Sequence, residues 1–347
     1  MDRRTFISGA LGMGALASPW SVFSQHALVG ADAHSHWGMA AYGGNGSLNA
    51  STGLREEMLK AGILLVAMKV IADFPQLELR GGGIYGHEFA SPGSLQRYFV
   101  AMASGVVARA QNDGLAVVGT LADLNRVIAE RKPGIVLSVE GGDFLEGKIE
   151  PLAQARAMGL CHLQLVHYRR MEVGDISTEA PKHNGLSTFG KDLVVACNKQ
   201  GILVDVAHCN AAGIQHAIEA STKPLIYSHG WVTIKEPPTH LTNYARAIHI
   251  DQAKAIAAKG GVLGIWPVIS RNPEDFGAFL ATTAGRVGPE HVAIGTDHSG
   301  VPRSAISGYE DYPRVAAALA KSGLTSAQVD GIMGGNYVRV LKQAIEV

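Results

Sequence analysis

His34 and His36 stand two residues apart at the end of a short apolar run. In an extended segment residues i and i+2 point to the same side, so the two imidazoles can grip one divalent ion. Further polar groups close later apolar runs: Glu140, His167, His208, His229 and Asp297. A lone His-x-His pair is weak evidence for a metal, because ordinary strand-end histidines are common. Joined to a carboxylate able to bridge and to two more histidines, the set suits a pair of zinc ions about 3.5 to 4 Å apart. Imidazole and carboxylate without thiolate favour zinc, with manganese, cobalt or iron as substitutes.

Residues so far apart in the chain need a scaffold that gathers them. Eight runs are apolar almost without interruption and rich in β-branched residues, at 27–33, 63–71, 135–139, 161–166, 202–207, 224–228, 261–266 and 291–296. The lack of alternation marks strands covered on both faces, which is the parallel-sheet case. Helical spacing fills the intervals at 52–61, 95–112, 120–131, 151–158, 188–200, 211–220, 250–259 and 310–321, with a last helix over 326–346. Eight βα units predict an α/β fold, one closed (β/α)8 TIM barrel, with a doubly wound open sheet as the rival. In a barrel all the polar strand ends share the C-terminal face, where active sites form. The segments 38–53, 81–92 and 169–184 are long excursions expected to build the rim.

The 347 residues are 47% hydrophobic and 17% charged, with 30 Lys plus Arg against 30 Asp plus Glu. That balance excludes disorder and gives no reason to expect a nucleic-acid partner. Gly81-Gly82-Gly83 lacks the strand-to-helix context of a dinucleotide loop, so nucleotide binding has no support. No linker-like stretch divides the chain, and one domain is expected over 28–347. Cys161, Cys197 and Cys209 are odd in number and widely spaced, as small core residues would be.

Residues 1–27 belong to a different kind of segment. Arg3-Arg4 precedes a Gly- and Ala-rich apolar run, and Ala15-Leu16-Ala17 is a small-x-small cleavage pattern. This predicts a twin-arginine signal peptide, cut after Ala17 or Ala27, and a periplasmic or secreted protein. No later stretch offers about 18 uncharged apolar residues, so no membrane span is expected in the mature chain.

Several short motifs then line up in order: Asp32-Ala33-His34-Ser35-His36, Ser138-Val139-Glu140-Gly141-Gly142, Leu163-Gln164-Leu165-Val166-His167, Gly185-Leu186-Ser187 onward to Asp205-Val206-Ala207-His208, Ile226-Tyr227-Ser228-His229 and Ile294-Gly295-Thr296-Asp297. In this ordered set the sequence resembles the renal or membrane dipeptidase family, zinc enzymes on an amidohydrolase-type barrel. The resemblance implies that His34 and His36 hold one metal, that Glu140 bridges, and that His208 with His229 holds a second. It implies a substrate contact and oxyanion stabilisation for His167, a substrate-carboxylate contact for Arg246, and an acid/base role for Asp297. An insertion precedes Arg246, and a solvated surface arginine is an equal alternative there. The implied reaction is hydrolysis of a small peptide substrate by a metal-bridging hydroxide. Homodimers are common among similar barrels, although only the alanine-rich C-terminal helix suggests an interface.

Two positions depart from the family pattern. The first motif usually reads His-x-Asp, whereas here it ends in His36, and the last usually continues Asp-Phe-Asp-Gly where this chain has Asp297-His298-Ser299-Gly300. A neutral ligand in place of an anion makes the site more positive and weakens metal retention. Two rivals follow: the same chemistry on another amide or a lactone, and a non-hydrolytic accessory protein that keeps the barrel. Trp37, Trp231 and Trp266 each follow a strand end and wall a pocket or pack the rim. His162 and the other remaining histidines are read as structural or surface groups, and His298, alternating with Asp297, as pointing away from the site.

Overall fold

The structure is a computed structural model that describes residues 30–36, 53–81, 83–87, 91–169, 172–234, 246–301 and 303–347. The predicted signal peptide, Trp37 and most of the first excursion lie outside those residues.

All eight predicted runs form parallel strands, named here β1 (Gly30–Ser35), β2 (Ile63–Ile71), β3 (Gly134–Glu140), β4 (His162–Gln164), β5 (Leu203–Asp205), β6 (Ile226–Tyr227), β7 (Val262–Ile265) and β8 (Val292–Ile294). They pair in consecutive order. The longest ladder runs from Leu65 opposite Gly134 to Ile71 opposite Glu140. An open sheet would end at β8, but Asp297 N donates to His34 O and His36 N to His298 O, both at 2.8 Å. The buried Asp32 carboxylate also accepts from the Thr296 amide and hydroxyl. The sheet is therefore a nearly closed barrel, and the seam lies directly under the His-x-His motif.

Alternation along β2 separates the two sides of the wall. Val66, Met68 and Val70 pack outward with Phe99, Ala103 and Val106 of the helix Ser94–Asn112. Leu65 and Ala67 point inward and cluster with Ala31, Val136, Leu203, Ile226 and Val262. Tyr337, Val340, Leu341 and Ala344 of the helix Asn336–Ile345 join that cluster and cap one end of the barrel. The C-terminal helix thus buries its apolar face within its own chain, so the sequence cue for an interface there is removed. It is also interrupted: a π turn at Gly331–Gly335 separates it from Ser326–Asp330. Asn336 then ties it to β8 by donating to the Pro289 and Val292 carbonyls.

One helix, Pro273–Val287, is absent from the sequence-based assignment. Its start signals were present. Asn272 caps the Asp275 amide, Pro273 sits in the first turn, and Glu274 and Asp275 complement the helix dipole. Cys161, Cys197 and Cys209 are buried free thiols, as read.

The barrel interior holds a charge that composition concealed. Lys69 points inward from β2, fully buried, with Nζ 2.8 Å from Asp205 Oδ2 and 3.1 Å from His162 Nε2. His162 Nδ1 lies 3.2 Å from the Tyr337 hydroxyl, so this histidine belongs wholly to the core. Burial first, and then the Lys69 charge, lower the His162 pKa to about 4. An unfolded histidine titrates near 6.5, so between those values the unfolded chain binds the extra proton and stability falls as pH falls. His162→Gln should remove that slope. Urea unfolding should show the native chain losing about 3 kcal/mol more than the variant between pH 7 and pH 4. Parallel curves would contradict the assignment.

Candidate metal centre

The C-terminal ends of β1, β3, β5 and β6 deliver five ligating side chains to one point. His34 Nε2 and His36 Nε2 lie 3.2 Å apart. Glu140 presents Oε2 to His36 at 3.2 Å and Oε1 to His34 at 3.7 Å. On its other side Oε1 faces His208 at 3.3 Å and His229 at 3.7 Å, and those two Nε2 atoms are 3.1 Å apart. Glu140 therefore stands between two histidine pairs. All five residues are buried.

Each imidazole is held from behind. His36 Nδ1 lies 3.1 Å from Lys69 O and His208 Nδ1 3.2 Å from His167 O. A carbonyl only accepts, so in both rings the proton sits on Nδ1 and Nε2 is the atom offered inward. The single Ser228 hydroxyl lies 3.0 Å from both His34 Nδ1 and His229 Nδ1. Gly264 and Gly295 let the Ser228 backbone come this close, since a Cβ at either would meet its carbonyl oxygen at 1.9 and 1.8 Å. His208 (φ 66°) and Asp297 (φ 53°) both adopt left-handed backbone conformations, which non-glycine residues hold against strain where the surroundings fix them.

Electrostatics suit a cation. Burial first, then the Arg246 charge, lower the pKa of His208 to about 3. Burial likewise depresses His34 and His229 well below the usual range, so these rings are neutral. Burial would raise Glu140, but the imidazoles of His167 and His34 hold it well down and it stays ionised. Burial also opposes charge on His36, yet hydrogen bonds to Asp297 and Glu140 push it up to about 10. The three neutral imidazoles of His34, His208 and His229 beside an ionised carboxylate are a donor set for a divalent metal. Two ligand triads meet the spacing a metal needs, His34–His36–Glu140 and Glu140–His167–His208. The second triad contains His167, which the sequence had placed on substrate.

The remaining predicted residues border this point. Asp297 Oδ1 lies 3.3 Å from His36 Nε2 and 3.7 Å from His34 Nε2. His167 Nε2 is 3.6 Å from Glu140 Oε1. Arg246 is brought in by an element the sequence did not reveal, a parallel pair of short strands, Trp231–Thr233 and Ala247–His249, that follow His229 and Arg246 respectively. Its guanidinium donates to His229 Nε2 at 2.7 Å and to the Tyr168 hydroxyl at 2.9 Å. The rings of Tyr168 and Trp266 lie 5.4 and 5.1 Å from it. Arg246 is thus buried in the site rather than solvated, and Trp266, stacked near Trp231 at 6.2 Å, forms part of the wall. His298 turns toward Tyr309, with ring centroids 6.3 Å apart, and lines a neighbouring cavity of about 680 Å3 with Arg271 and Arg303.

Several participants went unread in the sequence. Asp73 contacts His167 at 2.7 Å, and Gln164 donates to Glu140 at 3.2 Å. A signal for Asp73 existed, because β2 was one of the two runs without a polar strand end and Asp73 follows it by two residues.

Fold and site together define a (β/α)8 barrel with a histidine and carboxylate metal centre on its C-terminal face. A profile of the membrane dipeptidase family, peptidase family M19, matches residues 91–347, and the chain belongs to that family. His34 and His36 lie upstream of the matched stretch. The dipeptidase tcpJ of Claviceps purpurea is 28% identical over 249 residues, 68% of this chain and 57% of that protein. The dipeptidase verJ of Clonostachys rogersoniana is 26% identical over 246 residues, 68% of this chain and 62% of that one. This chain therefore spans 57% and 62% of the lengths of these two relatives. Among solved structures, an amidohydrolase from Pseudomonas aeruginosa superposes with a TM-score of 0.73 at 21% identity, over 95% of this chain and 100% of that one. A metallopeptidase from Rhodobacter sphaeroides, liganded with a phosphinate mimic of the dipeptide L-Ala-D-Ala, gives 0.74 at 19% identity, over 92% and 99%. These two likenesses show the barrel fold.

Proposed function

We propose that this chain is a zinc-dependent dipeptidase, with one ion held by His34, His36 and Glu140 and a second by Glu140, His208 and His229. The observation that carries the reading is the position of Glu140, with one carboxylate oxygen toward each histidine pair at 3.2 and 3.3 Å. Bound there, the ions would generate a nucleophile from water at neutral pH and polarise the scissile carbonyl. The chain's own groups do the rest. Asp297, beside the first histidine pair, accepts the proton of the attacking water and returns it to the leaving amine. His167 Nε2 faces the same centre and stabilises the negative charge that develops on the carbonyl oxygen, a contribution of about 3 to 4 kcal/mol for a well-placed donor. Arg246 pairs its planar guanidinium with the substrate carboxylate, and the rings of Tyr168 and Trp266 restrict its orientation.

A panel of L,L and L,D dipeptides, assayed with added zinc beside simple lactones and acylated amino acids, tests this reading. L-Ala-L-Ala or L-Ala-D-Ala should turn over, and the same dipeptide with a C-terminal amide should show a KM raised about tenfold or more, because Arg246 loses a charged partner. Turnover of a lactone or another amide with every dipeptide inert would move the assignment to the first rival, which His36 and Asp297-His298-Ser299-Gly300 keep open. The paired arginines Arg3 and Arg4 support export by the twin-arginine route to the periplasm or beyond. Cell fractionation of an Arg3→Lys/Arg4→Lys variant should find it retained inside, and unchanged export would overturn that part.

A further inference from the structure

We propose that Asp73 is a positioning residue for the reaction, fixing the His167 ring so that Nε2 faces the centre; this rests on the dipeptidase reading above. Asp73 lies just past the end of β2, fully buried. One carboxylate oxygen, Oδ1, is 2.7 Å from His167 Nδ1, and the other accepts from the backbone amide of Tyr168 at 3.1 Å. A single carboxylate thus grips both the imidazole and the peptide unit that follows it. The two-point hold fixes ring position, and because carboxylate oxygen accepts, it also places a proton on Nδ1. Nε2 is left as the working atom, 3.6 Å from Glu140 Oε1.

The hold reaches further than one side chain. The His167 carbonyl lies 3.2 Å from His208 Nδ1, so the backbone that Asp73 anchors also orients a metal-facing histidine. Behind it, Arg169 donates to Asp143 at 2.9 Å and to the His87 carbonyl at 2.9 Å, which ties the same loop to two other parts of the rim.

The test uses the zinc-loaded full chain and L-Ala-L-Ala. Asp73→Asn is nearly isosteric, but an amide has one acceptor oxygen and cannot accept from both His167 Nδ1 and the Tyr168 amide, so one point of the hold is lost. It should lower kcat by about 100-fold or more, with KM within about threefold and bound zinc unchanged. In a His167→Ala background the same change should have almost no further effect, since its route runs through His167. A second readout needs no turnover: in protein labelled with 15N at histidine, the Nδ1 resonance assigned to His167 should show a bound proton in the native chain and shift in Asp73→Asn. A kcat within threefold of native, an additive loss in the His167→Ala background, or an unprotonated Nδ1 in the native chain would each overturn the proposal. If no dipeptide is hydrolysed by the native chain, the dipeptidase reading fails, and the 15N signature still decides whether Asp73 sets the ring.

Discussion

Glu140→Gln is expected to abolish hydrolysis and to strip metal from the protein while leaving the barrel folded. Glu140 presents its carboxylate to both histidine pairs, at 3.2 Å on one side and 3.3 Å on the other. An amide keeps the shape but removes the negative charge, and one of its two ends becomes a donor unable to bind a cation. The loss should be at least about 1,000-fold in kcat/KM, or roughly 4 kcal/mol of transition-state stabilisation. Zinc per chain should fall in parallel. Circular dichroism and the unfolding midpoint should change little, because Glu140 sits among polar groups, the Gln164 amide at 3.2 Å and the facing imidazoles, rather than in apolar packing. Activity within tenfold of native, with zinc retained, would show that another group bridges.

Lys69→Met is expected to be the most destabilising single change in the barrel wall, although Lys69 touches no substrate. The side chain is wholly buried, and Asp205, equally buried, is its partner at 2.8 Å. Burial alone would raise the Asp205 pKa, but the Lys69 charge beside it holds the carboxyl below its ordinary range. Removing the ammonium leaves an anion in a low-dielectric interior without its counter-charge, which typically costs about 3 to 5 kcal/mol. A packing defect would give a similar number, so the control is the double variant. Asp205→Asn keeps the Oδ1 acceptor used by the Ala207 and Ser228 amides, and added to Lys69→Met it should recover at least about 1 kcal/mol in urea unfolding. No recovery would mean that the aliphatic stem of Lys69, not its charge, matters. The pair also bears on the site, because Asp205 holds the Ser228 amide and Ser228 backs both His34 and His229.

The barrel was legible in the sequence because parallel strands covered on both faces must be apolar throughout, and eight such runs leave few other topologies. The candidate site was legible for the complementary reason: polar residues at the ends of those runs have no packing role to explain them. What escaped was held by tertiary context. Lys69 sits inside the nine-residue strand Ile63–Ile71, where a single charge reads as noise until Asp205 and His162 appear opposite it. Asp73 lies beyond the strand end and matters only because the loop after β4 folds back over it. Arg246 could be placed only by the short strand pair beside His229, since the intervening segment hides the spacing. The helix Pro273–Val287 is the opposite case, since Asn272, Pro273, Glu274 and Asp275 signal its start locally.

His36 stands where the resemblance to the dipeptidase family implies an aspartate. Its ring lies 3.2 Å from Glu140 and 3.3 Å from Asp297, so the two carboxylates supply negative charge that a neutral ligand lacks. That compensation supports retention of metal at the first histidine pair.

Metal-dependent hydrolysis of a dipeptide is the central claim, and one chelation and reconstitution experiment meets it directly. Purified chain should release alanine from L-Ala-L-Ala, lose that activity when zinc is removed with a chelator, and regain it on titration with zinc, reaching full rate at up to two ions per chain. A folded chain that binds zinc to that level and leaves the dipeptide intact, or one that cleaves it equally well after complete metal removal, would contradict the account.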